Sequence, residues 1–219
     1  MSKRLTLLVV NVLVGSLVYG APADQDPGPQ LVDEFITDIA TLACRFEQSL
    51  IDADGEVVEV TSGTLEIKRP GRFRWTYIEP YEQILVADGL NIWSYDVDLA
   101  QVTVKPQAQA LSNTPALLLG GSPDAIEQFI HEGSYVENDT TWVRMRPKNT
   151  DSGFLRVELG FVHGLLSRMV FFDNLDQTTV VSLHDVSVNE PIDAGRFEFS
   201  APDGTDVVGS PAVADASMH

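Results

Sequence analysis

Apolar side chains along this chain follow two periods, and the point where one gives way to the other divides it. Leu31, Val32, Phe35, Ile36, Ile39 and Leu42 recur at the 3.6-residue spacing of an amphipathic helix, and Pro29 suits its first turn. From about Ala43 the period becomes two, and strands succeed one another with short turn signals between them. The first hairpin turns at Asp52-Ala53-Asp54-Gly55, and its return strand runs from Val57 to Arg69, where Pro70-Gly71 breaks it. Arg72 to Tyr77, Gln83 to Ala87, Asn91 to Tyr95 and Gln101 to Lys105 continue a meander, with Asp88-Gly89 as one of its turns.

A stretch of different character interrupts the strands. Thr114-Pro115 and Ser122-Pro123 each read as a helix N-cap followed by proline in the first turn, predicting short helices over Pro115 to Leu119 and Pro123 to about Ile130. The first is apolar on every side (Ala116, Leu117, Leu118, Leu119), so it must be covered or must itself cover a cavity. Strands resume at Thr141 to Arg146, Phe154 to Phe161, Leu165 to Phe172 and Thr178 to Val188, with a last short one at Phe197 to Phe199. One antiparallel sheet of roughly ten strands has to curl to bury its inner face, and the helices can plug the concavity. The period alone does not decide between a closed barrel and an open one.

At the N-terminus, Lys3 and Arg4 precede an uncharged, mostly apolar run from Leu5 to Tyr19, the layout of a secretory signal peptide. Cleavage is expected after Gly20, with Ala23 as the alternative, leaving one domain over residues 21–208 and an Ala/Ser/Asp-rich, disordered tail over 209–219. No Cys follows either cleavage site, so no lipid anchor is expected on the mature chain. The net charge of −18, which becomes −20 without Lys3 and Arg4, excludes a basic footprint for nucleic acid. Cys44 is the one cysteine and is expected to be a buried, inert thiol.

Catalytic chemistry finds no local support. His131, His163, His184 and His219 lie far apart in sequence, and no metal-ligand spacing or nucleophile motif occurs, so neither an enzyme nor a cofactor is expected. Asn138-Asp139-Thr140 fits a glycosylation triplet but reads as a turn. The run Ile67-Lys68-Arg69-Pro70-Gly71-Arg72-Phe73-Arg74-Trp75-Thr76-Tyr77 stands out instead. Counting back by twos puts Arg69 on the same face as Ile67 and Leu65, and Phe73, Trp75 and Tyr77 share a face on the next strand. Two readings stand at this point: a buried guanidinium that must find partners beside a row of cavity aromatics, or ordinary core rings with Arg69 solvated at its strand end.

The block Gly63-Thr64-Leu65-Glu66-Ile67-Lys68-Arg69-Pro70-Gly71-Arg72-Phe73-Arg74-Trp75 resembles the LolA family of outer-membrane lipoprotein carriers. So, in order and spacing, do Phe46-Glu47-Gln48, Leu85-Val86-Ala87-Asp88-Gly89, Trp93-Ser94-Tyr95-Asp96, Thr114-Pro115, Phe197-Glu198-Phe199 and Pro202-Asp203-Gly204-Thr205-Asp206-Val207. The resemblance implies a mainly β fold: an incomplete, half-open antiparallel β-barrel with a three-helix lid over an apolar cavity. It implies that Arg69 hydrogen-bonds to the lid in the closed form and that Phe73 and Trp75 line the cavity. Phe46, Leu65, Ile67, Leu85, Leu117 and Leu118 complete the expected lining.

The function so implied is carriage without covalent chemistry in the periplasm: lipoproteins released from the inner membrane enter with their acyl chains and are delivered to the outer membrane. The implied partners are the lipoproteins, an inner-membrane lipoprotein-releasing ABC transporter and an outer-membrane acceptor lipoprotein similar to LolB. A carrier of phospholipid or glycolipid, a lipid-sensing regulatory domain and an enzyme acting on lipid or glycan are the competing readings.

Overall fold

In the computed structural model, which describes residues 26–107, 126–149 and 153–213, the chain enters helix α1 (Gly28–Thr37) with Pro29 in its first turn. Val32 and Phe35 are the buried side chains of its inner face, and the Asp38 amide donates to the Glu34 carbonyl to close the last turn. The helix stops short of the predicted Leu42. Thr37 and Asp38 are weak helix formers whose side chains hydrogen-bond locally, and Leu42 serves as the first inward residue of the strand that follows.

Eleven strands then run antiparallel to their neighbours: β1 (Thr41–Ile51), β2 (Val57–Lys68), β3 (Arg72–Glu79), β4 (Gln83–Asp88), β5 (Asn91–Asp96), β6 (Gln101–Pro106), β7 (Phe129–Glu137), β8 (Thr140–Pro147), β9 (Phe154–Val162), β10 (Leu165–Asp173) and β11 (Thr178–Val188). A twelfth, β12 (Asp206–Gly209), joins parallel to β6. The order β12-β6-β5-β4-β3-β2-β1-β11-β10-β9-β8-β7 places β1 between two meanders, with β12 and β7 as edges that do not pair. Among the described residues the sheet is therefore open, and a closed barrel is excluded.

Register follows from the alternation. Leu42, Cys44 and Phe46 of β1 face Ile67, Leu65 and Gly63 of β2, which in turn pair with Phe73, Trp75 and Tyr77 of β3. On the other side of β1, Val181 and Leu183 lead to Met169, Leu159 and Val143. All these apolar side chains gather with Phe35, Phe161 and Phe171 into one core on the inner face. Its assembly from strands far apart in sequence is what forces the sheet to curl.

Three further expectations are corrected. α1 is the single described α-helix, so the three-helix lid is not observed; Pro115 to Leu119 lies outside the described residues. The helix expected to reach Ile130 has ended by Phe129, where β7 begins. That strand escapes the alternation because Gly133, at φ 106°, sits within a register shift between His131 and Ser134 that swaps the faces of the residues around it. Last, the strand expected at Phe197 to Phe199 is a 3-10 turn over Ala194–Phe197, with Phe197 buried and the Gly195 amide held by the Asp193 carboxylate. Of the expected tail, Ala212 is bonded to the side chain of Asn91, and residues 214–219 lie outside the described part.

Candidate functional site

The strand pair β2–β3 builds the floor of the inner face. Leu65 opposes Trp75 and Ile67 opposes Phe73, and all four are at most 1% exposed. Phe46 reaches this floor because Gly63, opposite it, has no side chain: a Cβ there would lie 1.8 Å from the Thr76 carbonyl oxygen and 3.0 Å from the Phe46 ring. Phe46 meets Trp75 edge-on at 4.9 Å and Tyr77 at 5.2 Å, while Trp75 and Tyr77 stack at 6.0 Å. Leu85, paired with Trp75 from β4, is half-buried at the side of this group. Six of the eight expected lining residues are thus brought onto one face. Leu117 and Leu118 lie outside the described residues.

Arg69 continues the same face one step beyond Ile67. Its Nη1 donates to the Ile39 carbonyl at 2.6 Å, its amide to the Ala40 carbonyl at 2.8 Å, and its guanidinium lies 4.6 Å over the ring of Phe35 in α1. Burial pulls the guanidinium down to about 10 from its ordinary value. The reading of Arg69 as a solvated strand end is excluded: it binds the segment that follows α1 and the helix itself. Phe35 also meets Phe161 of β9 edge-on at 6.2 Å, so α1 touches both halves of the sheet through one ring. Sequence reasoning missed Phe35 and Phe161 as part of this face. Both were visible as members of periodic runs, but no pattern in one dimension says that they meet.

Two clefts open beside this core. One of about 310 Å³ lies between α1 and β7–β8, lined by Val32, Ile36, Phe129, His131 and Met145 among others. The Asp26 carboxylate ties down its edge, accepting from Ser134 Oγ and the Gly28 amide and facing His131 Nε2 at 3.6 Å. Those contacts hold the Asp26 carboxyl below the usual carboxylate range, the Ser134 hydroxyl contributing most. The other cleft, about 480 Å³, lies past Tyr77 and is lined by Gln48, Glu59, Thr61, Gln83 and Asp96.

The titratable groups of the inner face are poor reagents. Burial pushes the Cys44 thiol and the Tyr77 hydroxyl each up to about 12, so neither forms its anion readily. Among the described residues no group of His, Cys, Asp and Glu gathers to hold a metal ion, and no helix is long and apolar enough to cross a membrane.

An open, curled antiparallel sheet with an aromatic, apolar inner face and a helix held against it by a half-buried arginine defines a half-barrel fold. Residues 37–200 match the family model described as outer membrane lipoprotein carrier protein LolA, and the chain belongs to that family. An outer-membrane lipoprotein carrier protein of Nitrosomonas europaea is 36% identical over 95% of this chain and 99% of its own. One of Dechloromonas aromatica is 39% identical over 90% and 92%. Among solved structures, an uncharacterized conserved protein from Thermus thermophilus shares the fold, with a TM-score of 0.53 at 13% identity over 82% of this chain and 98% of that one.

Proposed function

We propose that this protein carries lipoproteins across the periplasm, shielding their acyl chains against the inner face of the half-barrel between an inner-membrane ABC transporter that releases them and an outer-membrane acceptor lipoprotein. The observation that carries the reading is the continuous apolar floor of Phe46, Leu65, Ile67, Phe73 and Trp75, with Arg69 at its end gripping α1. Leu85 extends this floor from β4, and Leu117 and Leu118, also expected in the lining, lie outside the described residues. Family membership places the chain among carriers rather than enzymes.

Energetics give Arg69 its role. Each buried methylene contributes about 0.8 kcal/mol, so acyl chains supply more binding energy than a carrier that must release them can use. Packing α1 and the segment after it against Arg69 satisfies the guanidinium in the empty, closed state. Cargo has to displace that closed state, which lowers the net affinity to a reversible level. The carboxylates at the 480 Å³ cleft (Glu59, Glu82, Asp96, Asp98) repel phosphate headgroups, which favours an acylated polypeptide over phospholipid as cargo.

The test is release from spheroplasts. The purified protein is expected to bring newly made lipoproteins into solution as a one-to-one complex. Release of phospholipid alone, or of nothing, contradicts the reading.

A further inference from the structure

The inner face changes character along β2 and β3. Ile67, Phe73, Leu65 and Trp75 form its apolar part, and past Tyr77 the lining turns polar at Thr61, Gln48, Gln83 and Asp96. At this boundary stand two side-chain groups to which the described residues give no hydrogen-bond partner: Trp75 Nε1, on a residue only 1% exposed, and Thr61 Oγ1. Tyr77 lies between them, stacked on Trp75 and opposite Gly63, two residues along the strand from Thr61.

A buried indole N–H is expected to find an acceptor, and leaving it unmet is costly. Trp93, on the other face of the same sheet, obeys this rule: its Nε1 donates to Asp88 Oδ2 at 2.8 Å. Packing alone does not account for Trp75, since a phenylalanine would fill an apolar floor without bringing a donor. An indole N–H donates and cannot accept, so the missing partner is an acceptor.

We propose that Trp75 anchors the polar end of the acyl group. Its N–H donates to a carbonyl oxygen of the ester or amide that links an acyl chain to its headgroup. The alkyl tail then runs over Leu65, Phe73 and Ile67 toward Arg69, and the headgroup lies in the cleft past Tyr77, where the Thr61 and Tyr77 hydroxyls meet a second linkage. The anchor fixes the depth and direction of the cargo, making Trp75 a positioning residue. This inference rests on the acyl-carrier reading above.

Two synthetic lipopeptides of equal chain length test it, one with two palmitoyl esters on a glyceryl-cysteine head and the other with the matching dialkyl ethers, which lack the carbonyls. The unmodified protein is expected to bind the diester about tenfold more tightly than the diether. Trp75→Phe keeps an aromatic ring and is expected to abolish the preference, bringing the ratio of diester to diether affinity to about one. Equal affinity of the unmodified protein for both lipopeptides overturns the anchor while the carrier reading stands. Binding of neither overturns the carrier reading and the anchor with it. The diester-to-diether ratio requires no variant, so the test holds even where Trp75→Phe fails to fold.

Discussion

The inner face of β1 to β4 and the outer face of β4 to β6 bury the same kinds of side chain, yet they are completed differently. On the outer face Val86, Val102 and Val104 are sealed beneath the segment after β11, where Phe197 is buried and Phe199 packs on Trp93 at 5.6 Å and Tyr95 at 6.0 Å. Polar groups there are met from within the chain: Trp93 by Asp88, Asn91 by the Ala212 backbone, and Arg196 by Glu66 at 2.5 Å. On the inner face Trp75 keeps an unmet donor among the described residues, and half-buried Arg69 donates to the backbone after a ten-residue helix. Apolar burial alone therefore does not distinguish the two faces. The two buried indoles do: Trp93 has its acceptor, and Trp75 has none among the described residues.

If the outer face is purely structural, breaking it should cost stability and spare cargo binding. Phe197→Ala is expected to destabilise the protein by about 3–5 kcal/mol in urea denaturation, because it leaves a cavity beneath the segment after β11. At temperatures where the variant remains folded, lipopeptide affinity should match the unmodified protein; a loss of affinity would join the two faces into one site.

A smaller effect is expected at the Asp88 carboxylate. Burial works against its charge, but the Trp93 indole and the amides of Asn91 and Leu90 outweigh that and hold its pKa below the ordinary value. Asp88→Ala should cost about 1.5–3 kcal/mol at neutral pH. A depressed carboxyl stabilises above its unfolded pKa of about 4 and ceases to do so as pH falls through the folded value. The deficit of Asp88→Ala should shrink below pH ~4, and a deficit constant with pH would remove the charge from the account.

Arg69→Leu probes the inner face and should act on binding. Losing the grip on Ile39 and Phe35 weakens only the closed, empty state, so cargo affinity is expected to rise about tenfold while handover to an acceptor slows. Loading and delivery measured separately decide this. A folded Arg69→Leu protein that loads and delivers like the unmodified one takes Arg69 out of the mechanism.

Most of the sheet was legible because its strands alternate cleanly and their turns are marked by Gly, Pro and Asp. The inward placement of Arg69, Phe73 and Trp75 followed from counting by twos along β2 and β3. What escaped had a physical reason in each case. β7 hides its period behind the shift at Gly133, and Phe197 ends a 3-10 turn whose packing on β3 and β4 is set by chain more than a hundred residues away. β12 pairs with β6 across a similar distance, which local pattern does not encode. The unmet Trp75 donor could not be read at all, since satisfaction of a polar group is a property of the folded surroundings.

The claim that acyl chains occupy the inner face is most directly tested by photocrosslinking. A photoreactive residue is placed at half-buried Leu85 on the inner face or at half-buried Tyr95 on the outer face, and each protein is loaded with a lipoprotein bearing radiolabelled acyl chains. The account predicts label transferred at position 85 and none at position 95. Equal labelling at both positions, or labelling at 95 alone, would contradict it.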